Sequence, residues 1–164
     1  MPGQKPTPDV DTDLVVLLQA CSAALGNRVL DDVRSEVGDD VRYGDGYVFQ
    51  HLVPGPLSIS ELARRMGVSQ QAASKSVADL ERRRLIDRRP HPDDARASLV
   101  SLSRRGRRSV TSARRSRSDI LDEVTTLLGE RQTAALMRSL RLISAASGGR
   151  DLLDRRTMRP ESER

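Results

Sequence analysis

The feature that most constrains this chain is a pair of short helices held apart by only three residues, Gly67-Val68-Ser69. Ser58 followed by Glu61 has the spacing of a capping box, placed just ahead of the apolar residues Leu62, Ala63 and Met66. Gly67 then stands where a helix needs a left-handed residue to stop. Ser69 caps the next helix two residues later. Two helices over about 59–66 and 70–83, joined by so tight a turn, have the geometry of a helix-turn-helix.

The flanks extend this motif into a larger, mostly helical unit. Leu14, Leu17, Leu18, Cys21, Leu25 and Val29 recur at three- and four-residue steps and define one face of a helix over about 11–36. Tyr47 to Val53 reads as a short helix stopped by Pro54-Gly55-Pro56. After Leu85-Ile86 comes a polar, turn-rich stretch from Arg88 to Arg96 with Pro90 and Pro92, and then the extended run Ser98 to Leu102. Two short strands around a basic turn make a β-hairpin wing. Ser103 caps a long helix expected to run to about Leu128, and another covers about 130–146.

The fold class is therefore mainly α with a small β-hairpin wing. It is a winged helix-turn-helix (about 57–103) inside one domain spanning 10–148, between N- and C-terminal helices at about 11–36 and 118–146. Residues 1–9 and 149–164 read as frayed tails.

The second helix of the pair has two different faces. Ala73, Val77 and Leu80 fall on the side that packs against the first helix and the base of the wing. Gln70, Gln71, Ser74, Lys75 and Ala78 fall on the other, and no acid occurs there before Asp79. Gln suits the adenine edge, and Ser and Lys reach bases or phosphates. The wing adds Arg88, Arg89 and Arg96, and an arginine at a hairpin tip fits a narrow minor groove. Asp94, two residues before Arg96, is placed to orient its guanidinium.

Charge points the same way. The formal net charge is +5, but the basic residues concentrate between Arg82 and Arg117, which favours nucleic acid over membrane as the polyanionic partner. An arginine bias alone also follows from a GC-rich genome, so its position counts for more than its amount. The single cysteine, Cys21, excludes an intrachain disulfide framework and a thiol-rich metal site. It lies on the apolar stripe and is expected as a buried, inert thiol. His51 and His91 are too far apart to suggest a metal site. No uninterrupted apolar run reaches the roughly 18 residues of a bilayer span. A soluble cytoplasmic protein with no membrane partner is expected. No nucleophile–base pair, phosphate-cradling glycine loop or acidic cluster suggests an enzyme, and no cofactor is expected.

The run from Leu57 to Gly106 resembles the winged helix of the multiple-antibiotic-resistance regulator (MarR) family. The matching residues are Glu61-Leu62-Ala63, Gly67-Val68-Ser69, Leu80-Glu81, Leu85-Ile86, Asp94-Ala95-Arg96, Leu102 and Gly106. The chain departs at Arg84, where the family favours glycine and the backbone a positive φ, and at Ser103, where threonine is usual.

The resemblance implies a DNA-binding transcriptional regulator, a repressor on a pseudo-palindromic operator. It implies a homodimer built on the terminal helices, whose Leu121, Val124, Leu127, Leu128, Leu136, Leu140 and Ile143 lack an intrachain sheet to cover them. DNA contacts are then expected from Ser69, Gln70, Gln71, Ser74, Lys75, Arg88, Arg89, His91, Asp94 and Arg96. It further implies a small aromatic or phenolic effector. Tyr43, Tyr47 and Phe49, with His51 close by, are candidates to line its cleft, although Phe49 also suits a core position. The arginine-rich first half of the long helix, with only Val110 and Ala113 apolar, is expected to bridge the lobes in solvent. The rival reading is a winged helix used for protein–protein contact. The basic wing and the acid-free Gln70–Lys75 face speak against it.

Overall fold

The computed structural model describes residues 13–92 and 98–149. Each helix begins where a side chain can satisfy its unpaired N–H groups. Asp13 caps α1 (Leu14–Val37) by accepting from the Val15 and Val16 amides at 2.8 and 3.1 Å. α2 (Asp45–Leu52) carries the chain's aromatic cluster, and β1 (Leu57–Ser58) leads into α3 (Ile59–Met66). Ser58 caps α3 through the Glu61 amide, at 3.2 Å. The reciprocal half of the expected capping box does not form, because the Glu61 carboxylate takes charge-assisted bonds from Arg64 and Arg65.

α4 (Gln70–Arg82) follows, then β2 (Ile86–Pro90), β3 (Ser98–Leu102), α5 (Arg104–Leu128) and α6 (Glu130–Ala146). The sheet has three antiparallel strands in the order β1-β3-β2, one more than the sequence predicted. Leu57 pairs with Val100, while Ile86 pairs with Leu102 and Arg89 with Leu99. A two-residue strand is too short to show alternation, and β1 doubles as the entry to a helix.

One apolar cluster joins the elements. Leu62, Val77, Leu80, Leu85, Ile86, Val100 and Leu102 from the winged helix merge with Val33 of α1, Val41, and Val48, Phe49 and Leu52 of α2. The winged helix thus sits directly on α1 and α2.

Three expectations about the flanking helices are corrected. The first half of α5 does not stand in solvent. Gly106, Ser109, Ser112, Ser116 and Ile120 are buried; Gly106 lies on the Leu85 carbonyl, and Ser112 and Ser116 face α1, with Ser116 donating to Asp32 Oδ2 at 2.5 Å. The small side chains let the two helices approach closely, while Arg105 turns inward to the Val37 and Arg83 carbonyls and Arg104, Arg108, Arg114, Arg115 and Arg117 stay exposed. Cys21 is exposed, as is every residue of α1 from Leu14 to Leu25. Finally, α1 is long and apolar enough to cross a membrane by length and composition, although polar residues such as Gln19, Ser22 and Asn27 interrupt its apolar run.

Candidate nucleic-acid interface

The turn between α3 and α4 is built as its residues dictate. Gly67 sits at φ 65°, ψ 35°, in the left-handed region. Its amide and that of Val68 close a Schellman motif on the Arg64 and Ala63 carbonyls, at 3.2 and 3.0 Å. Ser69 accepts from the Ala72 amide at 3.1 Å, so its hydroxyl starts α4 as well as standing at the surface.

α4 then turns Ala73, Val77 and Leu80 into the core, where none is more than 2% exposed. Ser69, Gln70, Gln71, Lys75 and Ala78 are exposed and Ser74 half-buried, so the predicted DNA-facing residues share the outer face of one helix. Across from them, Arg88 and Arg89 are exposed on β2, and His91 is half-buried just beyond it. Arg88 is engaged within the chain, its Nε 3.2 Å from Glu81 Oε2 on α4. Arg89 makes no ion pair among the described residues. The expected pair Asp94 and Arg96 lies outside the described residues.

The C-terminal end of α4 is anchored by a residue nothing in the sequence singled out. Arg83 is only 7% exposed. Its guanidinium forks onto Asp45 of α2, with Nη1 to Oδ2 at 2.6 Å and Nη2 to Oδ1 at 2.8 Å, and also donates to the Asp40 carbonyl at 2.8 Å. Asp79 bridges the same group, accepting from Arg83 Nη2 at 2.7 Å, from Arg42 Nη1 at 3.1 Å and from Arg82. The Arg83 hydrogen bond holds the Asp79 carboxyl below the usual carboxylate range, and those of Asp45 and then Asp79 hold the Arg83 guanidinium above its own. Asp79, the first acid along α4, is thereby neutralised, and Glu81 beyond it pairs with Arg88.

Arg84 next to it has φ 56° and closes a second Schellman motif. Its amide donates to Glu81 O at 2.8 Å and that of Leu85 to Leu80 O at 2.9 Å. This is the positive φ expected at that position.

Between α1, α2 and α5 lies a cleft of about 540 Å³, a size that suits a small organic ligand. Tyr43, Tyr47 and Phe49 line it, and His51, though buried close by, does not. Tyr43 and Tyr47 meet edge to face, with centroids 6.2 Å apart. Burial, then Tyr43, pushes the Tyr47 phenol up to about 12, so it stays protonated at neutral pH. Arg42, Arg114 and Arg117 also line the cleft, and no acid does. Among the described residues Arg114 and Arg117 have no ion-pair partner. Their place in a general run of arginines hid them. Among the described residues no group of three or more His, Cys, Asp or Glu side chains could hold a metal ion.

Residues 46–97, a stretch that holds α3, α4 and β2, match the model of the MarR family. The winged helix of this chain is similar to that of the MarR family over about a third of its length. A segment of 72 residues is 40% identical to an HTH-type transcriptional regulator of Mycobacterium leprae, covering 44% of this chain and 47% of that protein. The match thus spans about half the length of that relative.

The whole fold is similar to solved structures. The Mycobacterium tuberculosis protein RV1404 superposes with a TM-score of 0.70 at 24% identity, over 89% of this chain and 99% of that one. FabT of Streptococcus pneumoniae, solved in complex with DNA, gives a TM-score of 0.62 at 16% identity, over 84% of this chain and 99% of that one.

Proposed function

We propose that this chain is a sequence-specific transcriptional repressor of the cytoplasm that binds a pseudo-palindromic operator as a homodimer. The observation that carries the reading is the outer face of α4. Gln70, Gln71 and Lys75 are exposed beside Ser74, and Asp79 is neutralised by arginines at the far end of the helix. A protein-binding winged helix has no need of such an acid-free face flanked by exposed Arg88 and Arg89. The pneumococcal FabT complex with DNA supports the use of this fold on a duplex.

The homodimer is supported by apolar residues that the chain leaves open on α1, α5 and α6, among them Leu14, Val15, Leu127 and Leu142. Release by a small molecule is supported by the cleft. Its tyrosine and phenylalanine walls suit an aromatic or phenolic body, and Arg114 and Arg117 suit an anionic substituent.

The test is selection of duplexes from random DNA by the purified protein, followed by footprinting. Two related half-sites centred about 10 bp apart are expected. Recovery of no motif, with affinity equal to that for bulk DNA, would sink the reading.

A further inference from the structure

We infer that Arg83 is the positioning residue through which the cleft governs the recognition helix α4, with residues 40–47 as the coupling element. This rests on the reading of the cleft as an effector site. The segment has two working sides. One lines the cleft, through Val41, Arg42, Tyr43, Gly46 and Tyr47. The other holds the end of α4, through the Asp40 carbonyl and the Asp45 carboxylate that receive the Arg83 guanidinium.

The opposite wall of the cleft reaches the same residue. α5 supplies Val110, Ala113 and Arg114 to the cleft, and its first turn supplies Arg105, whose Nη1 donates to the Arg83 carbonyl at 2.7 Å. Both walls therefore converge on one residue, at the C-cap of the helix that faces DNA. Arg105 also binds the Asp40 carboxylate and the Val37 carbonyl, so α5, the coupling segment and the end of α4 meet in one cluster at Arg83.

The links are unequal in stiffness. Arg42 to Asp79 is an exposed pair, with the arginine side chain 61% accessible, and such pairs hold weakly. The fork of Arg83 on Asp45 is bidentate and buried, at 6% and 8% side-chain exposure, and a buried fork has essentially one geometry. Movement of residues 40–47 is thus transmitted to the end of α4 rather than absorbed. Because α4 is one rigid helix, a shift at Arg83 re-aims Gln70 and Gln71 at the other end.

A wedge in the cleft tests this without effector or DNA. Ala113→Phe enlarges a half-buried wall residue. Should that variant fail to fold, Gly46→Leu from the other wall serves, since a Cβ there meets no atom within 4 Å. Amide hydrogen exchange is read at Arg83, Arg84 and Leu85, which close the end of α4, against Val100 in the sheet as the control. The wedge is expected to speed the three α4 amides about tenfold relative to Val100.

Arg83→Lys keeps the charge but loses the fork. In that background the same amides are already fast, and the wedge is expected to add less than about twofold, the non-additivity of a shared link. Asp45→Asn replaces it if the lysine variant does not fold. A folded wedge variant with unchanged α4 exchange overturns the inference. So does a wedge effect of equal size in the wild-type and Arg83→Lys proteins, or one equal at Val100. Failure of the effector reading registers separately, as unmoved Tyr43 and Tyr47 ring resonances on titration with 4-hydroxybenzoate.

Discussion

Arg84 holds a left-handed backbone, φ 56°, that an L-residue with a Cβ adopts at a cost of about 1–2 kcal/mol. Glycine removes that cost but loses more chain entropy on folding, by roughly 0.5–1 kcal/mol. Arg84→Gly is therefore expected to raise the melting temperature by about 2 °C, and Arg84→Ala to leave it nearly unchanged. Thermal melts of the pair separate the backbone effect from loss of the arginine. Gly106 shows the reverse constraint. A Cβ there would lie 2.1 Å from the Leu85 carbonyl oxygen, a backbone atom that cannot swing aside. Gly106→Ala is expected to lower stability by about 1–3 kcal/mol in a denaturant titration, because α5 must lift from the turn after α4. Both positions were legible in the sequence, since backbone geometry selects residue types at fixed spacings. Arg83 was not. It is the middle of three consecutive arginines, and only the tertiary placement of Asp45 turns it inward while its neighbours stay in water.

At the scale of elements, the helices and their caps were readable because periodicity and capping are local. The serine stripe of α5 was not, since hydrophobic pattern alone marks serine as surface. Ser109, Ser112 and Ser116 are buried because α1 comes close enough for only small groups to fit. The same blindness concealed the cleft arginines, which share α5 with those serines. Within the reading element, Gln71→Ala and Ser74→Ala are expected to change the bases preferred in selection from random DNA without changing the salt dependence of binding. Arg89→Ala, on the wing, is expected to weaken all sequences alike and lower the salt slope by about 1. Preferences that survive the α4 substitutions would move base readout away from this helix. α3, which supports α4 across the turn, carries its own pH signature. The hydrogen bonds of Arg64 and then Arg65 hold the Glu61 carboxyl at about 2, against an ordinary 4.5. A carboxyl lowered on folding contributes stability that is complete above pH 4.5 and is lost as pH falls towards 2. Glu61→Gln is expected to flatten that part of the acid limb when melting temperature is followed against pH.

The whole molecule raises the question of what covers its open apolar surface. Leu14, Val15, Leu127 and Leu142 are 57%, 61%, 82% and 72% exposed, and they sit at the N-terminal end of α1, the C-terminal end of α5 and on α6. A bilayer and a second copy of the chain are both apolar partners, and α1 alone has a span-length window. The placement of the residues distinguishes them. They are shared among three helices, whereas a span would gather them on one. The C-terminal half of α1 is also tied to α5, with Ser116 donating to Asp32 at 2.5 Å and Arg28 to Glu123 at 2.5 Å, polar links that a membrane-inserted helix would have to break. A two-fold axis accounts for the same surface with every contact made twice. Burying one leucine is worth about 1.5–3 kcal/mol, so Leu142→Glu removes roughly twice that from the proposed dimer. Its dissociation constant in sedimentation, without detergent, is expected to rise by about two to four orders of magnitude. The core of Leu62, Val77, Leu80 and Val100 lies entirely within one chain and is untouched by that change, so a cooperative melt should persist. Operator affinity is expected to fall with the dimer, because two half-sites bound by one particle become two separate binding events. A variant that stays dimeric and keeps its operator affinity would place the two-fold contact elsewhere on the three helices.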